Sequence, residues 1–262
     1  MLKPLFKQCI MLGLYGLGAL RPSRRPAVIT YHSFDESGSP VSIAPGIFRR
    51  HLTIIKGLGY ETVTAARMVD ALEGGTPLPE KAVVLTFDDG LWNNYEVAYP
   101  LLKEFGFTAT IFLVTGFTAR ASTWERDPGI PVLPLLTWDK IKEMERYGID
   151  FQSHSVSHPH LTRLSDKDLE RELNQSRSAI EERLGVSAPI FCYPYGEFDE
   201  RVMAELKRQG FKAAFAGHPA RECPLSLKRV GSAHLTTGLA YRTAIKGAFH
   251  NFYSLKRTLK KV

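Results

Sequence analysis

The sequence predicts one α/β domain built on a parallel sheet or barrel. Three observations carry that prediction. Short apolar runs alternate with helical patterns six or seven times along the chain, as expected when helices connect parallel strands. Several of those runs are continuous rather than alternating, as in strands covered on both faces. The residues best able to do chemistry stand at the carboxyl ends of the runs, where α/β folds place their sites. A chain of 262 residues with 44% hydrophobic composition can bury a full core of this kind.

Taken in order, residues 1–26 form a basic and apolar N-terminal segment. Its apolar stretch, Cys9 to Leu20, is twelve residues long and too short to span a bilayer. Arg21, Arg24 and Arg25 follow at once and a signal-peptide cleavage site is poorly formed. An uncleaved interfacial or packed segment is therefore expected. Residues 27–235 make the main domain. Ala27 to His32 reads as the first strand, with His32 at its carboxyl end. A helix over 46–58, a strand at Glu61 to Thr64 and a helix with Met68, Val69 and Leu72 come next. Lys81 to Phe87 is a buried strand that runs into Asp88-Asp89-Gly90. Trp92 to Phe105 has a helical pattern with Gly106 at its C-cap, and Thr108 to Val114 is again a strand. Residues 115–136 form a long loop over the site, carrying Trp124. Trp138 to Tyr147 is helical, and Gly148 to Ser153 is a strand leading into His154-Ser155-Val156-Ser157-His158. Ser165 opens a long polar helix that ends at Gly185. Ile190 to Tyr193 is a strand leading to Pro194-Tyr195-Gly196, followed by a helix near 199–209. Strands at Phe211 to Phe215 and Leu227 to Val230 complete the domain.

Residues 236–262 read as a basic amphipathic C-terminal helix. Tyr241, Ile245, Ala248, Phe252, Leu255 and Leu259 form one apolar stripe, with basic residues on the other face. That pattern fits either a helix covering the core or one lying in a membrane surface.

The net charge of +7 is unevenly spread. Residues 1–34 hold five basic residues and residues 223–262 hold eight, with no acid in either stretch. Of 34 basic residues, 21 are left for the middle against 27 acidic ones, so the body is acidic. Basic ends on an acidic body suit an anionic membrane surface better than nucleic acid. No nucleic-acid partner is expected, and nothing identifies a protein partner. A membrane-associated protein of the cell envelope, at a bacterial inner membrane, is the localisation this implies, on either the cytoplasmic or the periplasmic side. The three cysteines lie far apart and suggest neither a disulfide framework nor a cysteine metal site.

Two adjacent carboxylates at a strand end are costly unless a cation binds or one holds a proton. His154 and His158, four residues apart, supply neutral nitrogen ligands. Pro159 disfavours α geometry at His158, which places the pair in a turn rather than on a helix. Two imidazoles and one carboxylate suit zinc or another first-row divalent ion. Three protein ligands leave a position for water, which is the catalytic arrangement. Asp89, beside the glycine turn, is the expected ligand and Asp88 the expected base. Trp124, Trp138 and Tyr195 are candidate walls for a sugar ring.

Three ordered motifs then identify a resemblance: Thr86-Phe87-Asp88-Asp89-Gly90, His154-Ser155-Val156-Ser157-His158 and Phe191-Cys192-Tyr193-Pro194-Tyr195-Gly196. The chain resembles the polysaccharide deacetylase family with the NodB-homology domain, carbohydrate esterase family 4, over roughly residues 27–232. Leu136-Thr137-Trp138 and Glu172-Leu173-Asn174-Gln175-Ser176 are similar too. The Val28 to His32 opening and the YPYG form look like the poly-N-acetylglucosamine deacetylase branch. The resemblance implies a distorted (β/α) barrel of about seven repeats. It implies a divalent metal, zinc first with nickel, cobalt or iron as alternatives, held by Asp89, His154 and His158. It implies Asp88 as general base and the Tyr195 backbone N–H facing the oxyanion. The activity implied is removal of N-acetyl groups from N-acetylhexosamine units of a polysaccharide or lipid-linked glycan. Action on another envelope glycolipid amide, or a non-catalytic glycan-binding relic, are the alternatives. Two departures stand out. Cys192 sits where the family has an arginine that braces the base, so another cation must do so or the base is tuned differently. The late histidine motif has no clean match, leaving His32 and His234 as candidates for the general acid and His160 as a bystander.

Overall fold

The computed structural model describes residues 25–124, 127–217 and 219–246. Its strands are β1 (Ala27–Tyr31), β2 (Glu61–Val63), β3 (Ala82–Phe87), β4 (Thr110–Leu113), β5 (Asp150–Ser153), β6 (Ile190–Cys192), β7 (Ala213–Ala216), β8 (Leu227–Lys228) and β9 (Val230–Gly231). They are ordered β8-β7-β6-β5-β4-β3-β1-β9, and β2 pairs with β3. Every pairing between these strands is parallel.

The two ends of that order are one piece of chain. Leu227 and Lys228 pair with Phe215 and Ala216 of β7, and two residues later Val230 and Gly231 pair with Ile29 and Thr30 of β1. The last strand thus bridges both edges and closes a barrel of seven strand positions, with Arg229 at the joint. β2 lines only the first half of β3, and β4 takes over along the second half. The expected seven-fold (β/α) barrel is what forms.

The connections are α1 (Pro45–Gly57), α2 (Ala65–Leu72), α3 (Tyr99–Phe105), α4 (Trp138–Tyr147), α5 (Asp166–Leu184), α6 (Glu200–Arg208) and α7 (Gly238–Ile245). Ser165 caps α5 by accepting from the Asp168 N–H, and Gly185 and Gly106 end α5 and α3 in left-handed conformation. The predicted helix from Trp92 to Phe105 forms as one helical run, but not with α geometry throughout. A wide π turn over Asn94–Ala98 precedes α3. Pro100 has no N–H to continue an α ladder back through that turn. Asn94 turns inward there and donates to the His32 carbonyl at 2.8 Å.

The largest core cluster gathers Tyr31, Phe34, Phe48 and Phe87, with ring centroids 4.6–5.9 Å apart. The first half of the C-terminal stripe joins it: Tyr241 and Ile245 of α7 are buried. That half is core rather than membrane-facing, because α7 packs on α1 and β1. The rest of the stripe, Ala248 onward, lies outside the described residues.

His51 shows how the core prices a polar group. Its Nδ1 lies 3.0 Å from the Tyr31 hydroxyl, its Nε2 2.8 Å from the Leu235 carbonyl oxygen, and its ring stacks on Tyr241 at 3.8 Å. Burial pushes the imidazole down from 6.5 to about 4. The unfolded chain therefore binds a proton that the folded chain refuses, and stability falls as pH drops from about 6.5 toward 4. The full difference is about 3 kcal/mol. In His51→Gln, urea denaturation at a series of pH values should show a shallower loss of stability across that window than in the parent.

Candidate active site

The site forms where β1, β3, β5 and β6 end. β3 delivers Asp88 and Asp89, β1 delivers His32, β5 delivers His154, and the turn after β6 delivers Tyr195. Among the described residues, five non-glycine residues have positive φ: Asp89, Ala119, Ser155, His158 and Tyr195. Four of the five belong to this site. Each costs on the order of 1–3 kcal/mol, a cost that surrounding structure must hold. Gly90 follows Asp89 with φ +71, and a Cβ there would stand 2.7 Å from Leu113 Cδ2. The acidic pair thus owes its sharp turn to a position only glycine fills.

Asp89 Oδ1 lies 3.6 Å from Nε2 of His154 and 3.6 Å from Nε2 of His158. These separations are too long for hydrogen bonds. They match two ligands sharing a tetrahedral ion, roughly 3.4 Å apart for bonds of 2.0–2.2 Å. The ring orientations agree. His154 Nδ1 lies 2.8 Å from the Cys192 carbonyl oxygen, which fixes Nδ1 as the donor and leaves Nε2 a lone pair. Burial holds the His154 imidazole down at about 4, and burial with the neighbouring His154 pushes His158 lower still. Both rings are therefore neutral, the state that binds metal. The residues present fit a divalent ion at Asp89, His154 and His158. A second cluster, Asp88 with His154 and Cys192, also brings ligand atoms together. It does not suit an ion, because a guanidinium already occupies the Asp88 carboxylate.

That guanidinium is Arg229. Its Nη1 donates to Asp88 Oδ1 at 2.6 Å and its Nη2 to Oδ2 at 2.7 Å, a buried bidentate pair. Nη2 also lies 3.0 Å from Cys192 Sγ, and Nη1 3.3 Å from the Thr86 hydroxyl. Burial alone would raise the Asp88 carboxyl, but the charges of Arg229 and His32 outweigh it and hold the acid well below the usual carboxylate range. Asp88 is thus ionised and separate from the ligand set. The brace expected at position 192 comes instead from the strand that closes the barrel. The short side chain of Cys192 leaves room for it, and burial pushes that thiol up, so it stays neutral. By sequence, Arg229 is one of the eight basic residues of the C-terminal stretch 223–262. Its signal was an arginine at the centre of a predicted strand, Leu227 to Val230, since arginine is almost never fully buried without a partner.

The turn carrying the histidines is tied down by Glu172 of α5. Its carboxylate accepts from the Val156 and Ser157 N–H groups at 2.8 and 2.9 Å and from the Ser157 hydroxyl at 2.7 Å. The Ser155 hydroxyl accepts from the His158 N–H at 2.9 Å. Glu172→Ala should therefore weaken metal binding about 10–100-fold, as loss of ligand-orienting partners does. Competition against a chromogenic chelator measures this, and a stability loss with unchanged metal affinity would contradict it.

The cleft above these residues has a volume of about 360 Å³. Trp124 and Tyr195 line it, as do both general-acid candidates, His32 and His234. His32 Nε2 is 3.6 Å from Asp88 Oδ2, and burial lowers the pKa of His32. Trp124 stacks on His158 at 5.2 Å, as expected of a loop folded over the site. Trp138 is elsewhere. It starts α4, packs against the core and lies under the Arg183 guanidinium at 5.4 Å. His160 is not among the residues that line the cleft but packs behind one of them. Its ring stacks on Tyr195 at 4.2 Å and its Nδ1 is 2.8 Å from Glu197 Oε2.

Comparison with known proteins fits this geometry. The family model for polysaccharide deacetylases matches residues 75–214. The chain belongs to the polysaccharide deacetylase family. Among relatives of this family, the Bacillus subtilis protein YxkH is 28% identical over 76% of this chain and 66% of its own length. A poly-beta-1,6-N-acetyl-D-glucosamine N-deacetylase of Escherichia coli is 24% identical over 71% of this chain but 33% of its own length. The chain thus spans between a third and two thirds of these relatives. Among solved structures, the Streptococcus pyogenes deacetylase PplD, in complex with acetate, aligns with a TM-score of 0.70 and 26% identity. That alignment covers 80% of this chain and 93% of the other. IcaB from Ammonifex degensii aligns with a TM-score of 0.68 and 25% identity, over 85% and 96%.

Proposed function

We propose that this deacetylase family member removes N-acetyl groups from N-acetylhexosamine units of a glycan by metal-dependent hydrolysis. One observation carries the reading. Asp89, His154 and His158 converge on a single point, while the adjacent Asp88 lines the same cleft but is held by its own ion pair. One carboxylate is left to bind an ion and the other to take a proton. The poly-beta-1,6-N-acetyl-D-glucosamine deacetylase relative and the acetate held by the streptococcal structure support the substrate and the product.

Asp89, His154 and His158 would hold the metal, and the mixed nitrogen and oxygen donor set favours zinc, with nickel, cobalt or iron as competitors. A bound divalent ion supplies Lewis acidity toward an amide carbonyl and lowers the pKa of water. Asp88 accepts the proton of the attacking water, with Arg229 keeping its carboxylate ionised and aimed. The left-handed turn at Tyr195 sets its backbone N–H as the expected oxyanion partner. His32, next to Asp88, or His234, in the turn after the neighbouring strand β9, protonates the departing amine. Arg229 restores the brace whose absence favoured a non-catalytic relic, and so supports catalysis.

Purified protein should release acetate from N-acetylglucosamine oligomers. EDTA should abolish the release and zinc should restore it. Acetate release that survives both EDTA and Asp88→Asn would overturn the reading.

A further inference from the structure

The first described residue, Arg25, and the last, Lys246, line the same cleft. So do Ala27 and Ala82, the opening residues of β1 and β3. Both terminal segments therefore join the barrel at the amino-terminal end of its strands. The catalytic groups follow the last residues of those same strands, His32 after β1 and Asp88 after β3. Five or six residues at about 3.3 Å each put ~16–20 Å of strand between the two ends.

The terminal segments share a chemistry. Residues 1–24 contain Lys3, Lys7, Arg21 and Arg24 and no acid, and residues 247–262 contain Lys256, Arg257, Lys260 and Lys261 and no acid. Both also hold apolar runs, Ile10 to Leu14 in the first and Phe252, Tyr253 and Leu255 in the second. Basic and apolar residues in one segment match an anionic lipid surface, which offers both charge and hydrocarbon. Nucleic acid would use the charge and leave the aliphatic residues in water. The barrel face between the segments is itself partly apolar: Leu72 is 52% exposed there, beside Leu78 and Pro77.

We propose that the amino-terminal end of the barrel is the face this protein turns to an anionic phospholipid bilayer, with the deacetylase cleft opening away from the membrane. Two basic segments leaving one end fix the orientation in a way that one alone would not. The consequence concerns substrate, and it rests on the deacetylase reading above. A cleft held a barrel's height from the headgroups meets glycan chains that stand off the surface. It does not meet a sugar carried in the headgroup plane by a lipid.

Leu72 and Val132 are both exposed, at 52% and 54%, and mark opposite ends. Val132 lies between the cleft-lining residues Pro131 and Leu133. In full-length protein carrying Cys9→Ser and Cys223→Ser, Leu72→Cys or Val132→Cys is labelled with a polarity-sensitive fluorophore. The probes are phosphatidylcholine vesicles with and without ~30 mol% phosphatidylglycerol. Expected is flotation at least tenfold greater with the anionic vesicles, and a blue shift of the label at position 72 but not at 132. Substituting Lys256, Arg257, Lys260 and Lys261 by Gln should reduce flotation severalfold while acetate release from soluble oligomers stays unchanged. A blue shift at position 132, equal flotation with neutral vesicles, or binding to an oligonucleotide with no vesicle binding would each overturn the proposal. On vesicles, a tethered N-acetylglucosamine oligomer should be deacetylated much faster than a lipid-linked monosaccharide. Equal rates would overturn the substrate inference. Absence of acetate release from every substrate would instead sink the deacetylase reading and leave the fluorescence result standing.

Discussion

Asp88→Asn should lower acetate release by roughly 10²–10⁴-fold, the usual worth of a positioned general base. The amide keeps the shape of the carboxylate but cannot accept a proton from water near neutral pH. Because the proposed ligand set is Asp89, His154 and His158 without Asp88, metal content should stay at the parent level. Metal analysis beside steady-state kinetics separates the two carboxylates. Loss of the metal together with activity would mean that the roles of Asp88 and Asp89 are misassigned. Replacing Asp89 should do the opposite and strip the ion, since its Oδ1 is the only carboxylate oxygen within ligand distance of both imidazoles among the described residues.

Arg229→Met should have the largest effect on stability. It leaves the Asp88 carboxylate buried without its bidentate partner, and breaking a buried pair in this way costs about 3–5 kcal/mol. The pH dependence has a definite sign. In the parent, the Asp88 carboxyl is held well below its ordinary value. Its contribution to stability is therefore present above about pH 4 and is lost as pH falls below that. The gap between parent and variant should be widest near neutral pH and close in acid. Activity should change in the same sense. Without the guanidinium, burial raises the acid, so the acidic limb of the kcat/KM profile should move to higher pH. Arg229→Lys should recover part of the stability and less of the rate, because an ammonium cannot make the two parallel bonds. An acidic limb that does not move in Arg229→Met would show that Arg229 supports only the fold. Thermal unfolding and pH–rate profiles on the same samples decide this.

The readable and unreadable parts of this site divide by distance along the chain. Asp88, Asp89 and Gly90 are consecutive, and His154 and His158 share one turn, so their geometry is set within a few residues. Strand, turn and capping signals place such groups, as at Ser165 and Gly185. The π geometry at Asn94–Ala98 was less legible, and Asn94 donates there to the carbonyl of His32, which follows β1 and lies 62 positions away. The C-terminal stripe illustrates a different limit. An apolar face at helical spacing says that something covers it, not what, and for Tyr241 and Ile245 the cover is the protein's own core.

The order of residues by itself determined the alternating barrel and the family motifs, and it singled out Asp89, His154 and His158, beside Asp88, as the residues of the proposed site. Only the tertiary structure decided what braces the base. Asp88 and Arg229 are 141 positions apart and meet because the final strand closes the barrel between β7 and β1. Local spacing can encode a ligand set, because ligands four residues apart need only a turn. An ion pair across a barrel depends on the register of every strand between its partners, and no short stretch of sequence carries that information.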